Sequence, residues 1–293
     1  MQPVALTTPP LRAVRLDDGM RLTYRELGAG PPIVLLHGWP TSSYLWRNVM
    51  RAIARHNCVL AVDLPGFGGS DKPLDRRYTF DLFARALDGF FDKLEVDELG
   101  LAGHDLGGPI AVHWALRNPG RVSRLALLNT LLYPEFSSAV LDFVRALSAP
   151  GSRDALTGPD GLADIMRLGL ADESTLTDDV LAAVRAPFAD PAARAALAAA
   201  GIGLSRRGFA EIAVGLPALD MPVRVVYGER DRVLPDVADT MARVAGDVPH
   251  AEVTALPDCG HFLQEEAPER VGELLAEFFG VGFDVRAGLG ALP

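Results

Sequence analysis

The sequence predicts an α/β fold: a mostly parallel, doubly wound sheet with a helical insertion. Five short apolar runs, several with β-branched residues, are separated by segments of helix length, which is typical of strands buried on both faces of a parallel sheet. These runs cover residues 33–36, 59–62, 99–102, 125–128 and 223–226. Helical periodicity predicts helices such as 79–94, 109–118 and 268–279.

The two ends of the chain depart from this alternation. Segments 11–16 and 21–26 alternate in hydropathy around Asp17-Asp18-Gly19, which predicts an antiparallel hairpin before the parallel strands. The tail, residues 280–293, is predicted to be a loosely packed end.

Residues 134–216 interrupt the sheet pattern. This stretch is rich in alanine, helical in period and broken by proline and glycine, with no clear strand. Helices inserted between two strands of such a sheet lie over the carboxyl ends of the strands, where ligands bind. We therefore predict a core domain of residues 1–133 and 217–293 with a helical cap of residues 134–216. An independent second domain is the alternative, and the return to strands on both flanks disfavours it.

The composition narrows the classes of partner. The 293 residues include 28 Lys and Arg against 38 Asp and Glu, a formal net charge of −10. Such a charge repels phosphate backbones and anionic membranes, so neither nucleic acid nor a membrane is an expected partner. No apolar run is long enough to span a bilayer, the first ten residues do not resemble a signal peptide, and two cysteines form no disulfide framework. We expect a cytoplasmic protein. No cofactor or metal is predicted, and a homodimer is left open.

The motif with the strongest chemical meaning follows the third apolar run. It reads Gly103-His104-Asp105-Leu106-Gly107, and a helical segment begins directly after it. This is the strand–turn–helix pattern G-x-S-x-G that exposes a nucleophile, with Asp in place of Ser. Glycines allow the turn to be tight. We predict that Asp105 is the nucleophile; an ordinary glycine-rich turn is the alternative.

Two later loops supply candidate partners for Asp105. Asp231 follows the run at 223–226, and His261 lies in the next loop of the same kind. The chain order is nucleophile, acid, base, as in folds that carry this motif. We therefore predict His261 as the base and Asp231 as the acid that orients it. Glu229 is the nearest rival, and an exposed turn carboxylate is the other interpretation of Asp231.

The loop after the first apolar run contains His37-Gly38-Trp39-Pro40. In this arrangement it provides one backbone N–H of an oxyanion hole, here that of Trp39, and the second is the N–H of Leu106. We expect His37 to brace the loop rather than to catalyse.

These motifs resemble the α/β-hydrolase superfamily over nearly the whole chain. Within it, residues 37–48, His-Gly-Trp-Pro-Thr-Ser-Ser-Tyr-Leu-Trp-Arg-Asn, closely resemble the corresponding haloalkane dehalogenase loop. Residues 129–134, Asn-Thr-Leu-Leu-Tyr-Pro, and the cap sequence Ala186-Pro187-Phe188 are similar to dehalogenases as well. The resemblance implies that the acid is Asp231, because Asn129 carries no charge. It also makes Asn129 a candidate substrate-contacting residue.

The sequence departs from both families that use a carboxylate nucleophile. Dehalogenases typically place Trp after the nucleophile to bind the halide, and this chain has Leu106 there. Their second donor is often Asn after His-Gly or a cap Trp, whereas here Trp39 follows His-Gly and residues 134–216 contain no Trp. Epoxide hydrolases usually present cap tyrosines, and residues 134–216 contain no Tyr or His either.

The residues together predict a hydrolase. Ionised Asp105 attacks an sp3 carbon to form an alkyl ester, which water activated by His261 then hydrolyses. Carbon–halogen hydrolysis of a small apolar organic substrate is the favoured activity, with the Trp39 indole as leaving-group donor or as plain packing. Epoxide hydrolysis is the alternative, and a non-catalytic binding protein of the same fold is the third hypothesis.

Overall fold

The computed structural model describes residues 8–280, whose strands form a single mostly parallel sheet. The strands are β1 Leu11–Arg15, β2 Arg21–Leu27, β3 Pro32–Leu36, β4 Cys58–Asp63, β5 Leu99–His104, β6 Val122–Leu128, β7 Val223–Gly228 and β8 Glu252–Leu256. Their order in the eight-stranded sheet is β1-β2-β4-β3-β5-β6-β7-β8. Strand β2 pairs antiparallel with β1 and β4, and the remaining pairs are parallel. The predicted α/β-hydrolase-type sheet is confirmed.

Helices connect the strands and fill the space between β6 and β7. They are α1 Met50–Ile53, α2 Phe80–Lys93, α3 Gly107–Arg117, α4 Ser138–Ser148, α5 Pro150–Thr157, α6 Pro159–Gly169, α7 Asp178–Arg185, α8 Pro191–Gly201, α9 Arg206–Gly215, α10 Val237–Asp247, α11 Leu263–Glu266 and α12 Pro268–Gly280. Short 3₁₀ turns occupy Ser43–Trp46, Glu173–Thr175, Ala186–Phe188 and Leu216–Ala218.

Each of the five apolar runs is a strand, and the opening hairpin pairs Leu11 with Arg25 through Arg15 with Arg21. Strand β8 was not among the predicted strands. It lies at the edge of the sheet, with Glu252 and Val253 exposed, so it lacks the continuous apolar run of a central strand.

Side chains of the central strands alternate between two hydrophobic cores. Ile33 and Leu35 of β3 pack in the core that contains residues of α1 and α12, whereas Val34 and Leu36 pack in the core that contains α2, α3 and α10. All four side chains are fully buried. Full burial of such a side chain contributes roughly 1.5–3 kcal/mol, so both cores hold the strands firmly. The loops at the carboxyl ends of the strands therefore start from fixed positions.

Residues 138–218 form a helical insertion between β6 and β7, with no strand among them. Ser137, Thr177 and Ser205 cap α4, α7 and α9 through their hydroxyl oxygens, and proline opens α5, α6 and α8. These local signals explain why the stretch breaks into six short helices. The division into a core domain and a cap domain stays a prediction.

Within the described range, no helix has both the length and the apolar character needed to cross a bilayer. The predicted loose tail lies outside the described residues, except for Gly280, where α12 ends.

Candidate active site

Asp105 lies in the turn between β5 and α3 with a left-handed backbone, φ +48°. This conformation is strained for a residue with a side chain and persists only where the surroundings enforce it. A Cβ atom on Gly103 would lie 2.4 Å from the Gly107 carbonyl oxygen, and one on Gly107 would lie 2.5 Å from the Leu36 carbonyl oxygen. The glycines therefore let β3, β5 and α3 approach closely enough to hold this turn.

The two carboxylate oxygens of Asp105 have different surroundings. Oδ2 accepts the backbone N–H of Trp39 at 2.8 Å, and the backbone N–H of Leu106 also donates to the carboxylate. Oδ1 lies 3.9 Å from Nε2 of His261. The carboxylate is thus anchored by the two predicted oxyanion-hole amides and faces the imidazole with its other oxygen.

His261 and Asp231 form a buried pair behind the nucleophile. Nδ1 of His261 lies 2.8 Å from Oδ2 of Asp231, and both side chains are fully buried. Oδ1 of Asp231 accepts the N–H groups of Val233 and Leu234, each at 2.8 Å. A carboxylate at Nδ1 keeps the proton there and leaves Nε2 free to accept one. That nitrogen is buried and has no hydrogen-bond partner among the described residues.

The pKa values of the Asp105 and Asp231 carboxyl groups are shifted in opposite directions. Burial raises the pKa of Asp105, against the opposing effects of His261 and of the Leu106 and Trp39 amides. Burial also disfavours the charge on Asp231, but His261 and the Leu234 amide together hold its pKa below the ordinary value. For His261, burial disfavours the imidazolium, yet Asp231 and then Asp105 hold its pKa above the ordinary value.

The loop that carries His261 is tied to the helical insertion. The His261 N–H donates to the carbonyl of Gly169, the last residue of α6, at 2.6 Å. Glu266 accepts the N–H of Gly260 at 2.6 Å and that of Ala171 at 2.7 Å. Sequence reasoning missed this tie. The one local signal for this contact is Glu266, an acidic residue shortly after the predicted base His261. Such a residue is too common in sequences to be informative.

His104 supports the same loop from the other side. Its Nε2 lies 2.9 Å from the carbonyl oxygen of His261, so it donates to that oxygen. Burial keeps the pKa of His104 well below the ordinary value, so the ring is neutral. The position of His104 directly before Asp105 in the turn motif is the sequence signal that could have identified this residue.

The structure places Asn129, predicted as a candidate substrate-contacting residue, beside Asp231 and outside the lining of the cavity. Its side chain is fully buried and donates to Oδ2 of Asp231 at 2.7 Å, while Oδ1 accepts the N–H of Gly228 at 3.0 Å. Asn129 is not among the residues that line the cavity beside Asp105. It follows β6, next to the end of β7, so its short side chain reaches Asp231.

The indole of Trp39 binds the helical insertion. Nε1 donates to the carbonyl of Leu197 in α8 at 3.1 Å, and the ring packs edge-on against Phe143 at 4.8 Å between centroids. The side chain lines the cavity, but its one donor is engaged with backbone. Of the two interpretations left open by the sequence, leaving-group donor or packing, this geometry favours packing.

The two residues that the sequence left as alternatives lie outside the catalytic arrangement. Glu229 is exposed, whereas Asp231 meets the imidazole. His37 is buried, with Nδ1 bonded to the Gly38 carbonyl at 2.9 Å and Nε2 accepting the Leu64 N–H at 3.1 Å. Both ring nitrogens are thus used in bracing the loop, as expected.

A cavity of about 520 Å³ adjoins Asp105 between the sheet and the insertion. Its walls are almost entirely apolar, and the charged side chains besides Asp105 are Asp142, Arg206 and Arg232. No Tyr or His is among the described lining residues. Over residues 8–280 no group of three or more His, Cys, Asp and Glu has a geometry suited to a metal.

Comparisons with known proteins agree with this geometry. A family model described as the alpha/beta hydrolase fold matches residues 31–268. Haloalkane dehalogenase 2 of Mycobacterium tuberculosis is 32% identical over 265 residues, covering 89% of this chain and 92% of that protein. A haloalkane dehalogenase of Agrobacterium fabrum is 32% identical and covers 88% of each chain. A loop variant of the Bradyrhizobium elkanii haloalkane dehalogenase DbeA superimposes with a TM-score of 0.81 at 28% identity, covering 94% of this chain and 97% of that one.

Proposed function

Because the chain belongs to the α/β-hydrolase family, we propose that it hydrolyses carbon–halogen bonds of apolar organic molecules through an ester on Asp105. Names of relatives such as the M. tuberculosis and A. fabrum dehalogenases support this activity. The observation that carries the proposal is the position of Asp105: Oδ2 is bound by the Trp39 amide, and the carboxylate borders an apolar cavity.

The first step follows from the chemistry of a carboxylate. Ionised Asp105 needs no base, and its oxygen displaces halide from an sp3 carbon in one step. Attack by the same carboxylate on an ordinary ester gives an anhydride, which is uphill. The residue type therefore favours alkyl halides over simple esters.

The second step uses His261. Nε2 and Asp105 Oδ1 are 3.9 Å apart, which is too far for a direct hydrogen bond. A water molecule activated by Nε2 attacks the carbonyl carbon of the Asp105 alkyl ester, while Asp231 stabilises the imidazolium that forms. Negative charge then develops on the oxygen that faces the Trp39 and Leu106 amides, an interaction worth about 3–4 kcal/mol per donor in other hydrolases.

The leaving group distinguishes the candidate substrates. Leu106 offers no side-chain donor, and the Trp39 indole N–H is bound to Leu197. Bromide and iodide leave with little hydrogen-bond help, whereas fluoride and an epoxide oxygen need a strong donor. An epoxide also needs a proton source, and the described lining residues include no Tyr or His. The cavity therefore favours bromoalkanes and iodoalkanes over epoxides.

The helical insertion supplies much of the cavity wall, including Phe143 and Phe209. This supports the proposed division into a core of residues 1–133 and 217–293 and a cap of residues 134–216. The cytoplasmic location and the homodimer stay proposals, the first supported by the two free cysteines, Cys58 and Cys259.

The activity is tested with 1-bromohexane, 1,2-epoxyhexane and a nitrophenyl ester. We expect equal amounts of bromide and hexanol from the wild type and none from Asp105→Ala. Diol from the epoxide without bromide release identifies an epoxide hydrolase. Ester hydrolysis that survives Asp105→Ala contradicts the nucleophile assignment. Binding of all three compounds without turnover identifies a binding protein.

A further inference from the structure

Trp39 connects the nucleophile to the helical insertion through its two N–H groups. The backbone N–H donates to Oδ2 of Asp105 at 2.8 Å, and the indole N–H donates to the carbonyl of Leu197 at 3.1 Å. Leu197 lies in the middle of α8, 158 residues away in sequence. One residue thus carries both an oxyanion-hole donor and a hydrogen bond to the insertion.

The indole is closely enclosed on the insertion side. Phe143 of α4 packs against it at an interplanar angle of 77°, and Trp39 as a whole is 6% exposed. Gly201, the last residue of α8, lies close to the ring: a Cβ there would lie 3.0 Å from Cδ1 and from Nε1 of Trp39, and 2.8 Å from Cδ1 of Leu147. The absence of a side chain at Gly201 therefore leaves the space that the indole occupies.

We propose that α8 positions the oxyanion hole: the contact of the Trp39 indole with the Leu197 carbonyl and Gly201 keeps the Trp39 amide aligned with Asp105 Oδ2. Leu197 and Gly201 are then positioning residues that act on Asp105 through Trp39; Gly201 also lines the cavity, whereas Leu197 does not. The inference rests on the proposed function, because the oxyanion arises when the Asp105 ester is hydrolysed.

Alkylation of Asp105 and hydrolysis of the resulting ester depend differently on the alignment of the Trp39 amide. Alkylation removes the negative charge of the carboxylate, so the Trp39 hydrogen bond weakens and does not assist that step. Hydrolysis of the ester restores negative charge on the same oxygen, so the bond strengthens in that transition state. A misaligned Trp39 amide therefore slows hydrolysis selectively, and alkylated enzyme accumulates.

Gly201→Ala tests this selectivity. The methyl group would lie 2.8 Å from Cδ1 of Leu147 and 3.0 Å from two atoms of the Trp39 indole, so it crowds both side chains. We expect hydrolysis of the alkyl-enzyme to slow about tenfold, part of the 10²–10³-fold loss seen when an oxyanion donor is removed outright. Alkylation by 1-bromohexane should change less than about twofold. Rapid quenching and intact-protein mass spectrometry measure the alkylated fraction, which should rise. Trp39→Phe removes the indole donor and should act in the same direction.

Gly246→Ala is the matched control. Gly246 also lies in the last turn of a helix, α10, and a Cβ there meets no atom within 4 Å. Its alkylated fraction should equal that of the wild type. An equal slowing of both steps in Gly201→Ala, or no accumulation of alkyl-enzyme, overturns the inference.

A measurement without turnover separates this inference from the proposed activity. The Trp39 amide lowers the pKa of Asp105 by hydrogen bonding to the charged form. The ¹³C NMR titration midpoint of the Asp105 carboxyl should therefore rise in Gly201→Ala and Trp39→Phe, but not in Gly246→Ala. If the wild type releases no bromide, the proposed activity fails while this titration still decides the positioning role. An unchanged midpoint in both variants overturns it.

Discussion

Oδ2 of Asp231 accepts two hydrogen bonds, from Nδ1 of His261 at 2.8 Å and from the Asn129 amide at 2.7 Å. Asn129 is thereby a hydrogen-bond partner of the proposed acid. Oδ1 of Asn129 accepts the Gly228 N–H, so the side chain also links the ends of β6 and β7.

Asn129→Leu tests this placement, because leucine has a similar volume but no polar atoms. The Gly228 N–H loses its buried partner and Asp231 loses a donor, so we expect the free energy of unfolding to fall by about 2–3 kcal/mol. Because a hydrogen bond to a charged group is worth about 1.5–3 kcal/mol, kcat should fall about tenfold or more. KM for 1-bromohexane should stay unchanged. A raised KM with unchanged kcat would indicate that Asn129 contacts the substrate. Urea unfolding and steady-state kinetics provide both readouts.

Asp231→Asn should be far more damaging than Glu229→Gln. The amide keeps the shape but loses the charge that favours the Nδ1 tautomer and the imidazolium, so we expect kcat to fall by on the order of 10³–10⁴-fold. Exposed Glu229 should tolerate the change within about twofold. Bromide release by the two purified variants makes the comparison. The reverse order of effects would assign the acid to Glu229.

His261→Gln should separate the two half-reactions. Asp105 attacks without a base, whereas water needs one, so the variant should be alkylated once and then stall. With 1-bromohexane the protein gains the mass of a hexyl group less one hydrogen atom, and peptide mapping should locate the adduct on Asp105. An unmodified variant that still binds the substrate contradicts covalent catalysis and favours Asp105 as a base for water.

Leu106→Trp should add the missing halide donor. Leu106 lines the cavity directly after the nucleophile, so an indole there can point its N–H at the leaving group. A hydrogen bond to a developing anion is worth about 1.5–3 kcal/mol, so the rate of alkylation by 1-chlorohexane should rise about tenfold or more. The rate of alkylation by 1-bromohexane should rise by a smaller factor. Leu106→Phe adds bulk without a donor and serves as the control. Equal rates in the two variants would show that size, not hydrogen bonding, governs the step.

Hydrolysis of the alkyl-enzyme should be lost as the pH falls through the pKa of His261. The base must be neutral; Asp231 raises the pKa of His261, whereas burial lowers it. Ionised Asp105 also raises that pKa, but this contribution is lost in the alkyl-enzyme because the ester is uncharged. Alkylation needs only ionised Asp105, so it persists to lower pH, although burial raises the Asp105 pKa above 3.8. Alkyl-enzyme should therefore accumulate on the acidic side of the His261 pKa. Quenched mass spectrometry across pH measures it, and a fraction that does not rise with acidity contradicts the assignment of His261 as base.

The sequence by itself determined the central strands and the helical stretch, and it singled out Asp105, Asp231 and His261, which the structure brings together. Their signals are local, because buried strands are apolar runs, Asp105 and Asp231 follow predicted strands, and His261 follows Asp231 in the chain order of this motif. The sequence did not predict edge strand β8, because a strand with exposed residues lacks a continuous apolar run.

Only the tertiary structure decided how the remaining polar groups are used. The sequence could identify Trp39 and Asn129 as candidates, but it could not show that the indole N–H would meet Leu197 or that the Asn129 amide would meet Asp231. A hydrogen bond is formed by whichever partner lies within about 3 Å in the right direction. Those partners lie more than a hundred residues away, and the packing of α8 and the adjacency of β6 and β7 bring them into reach.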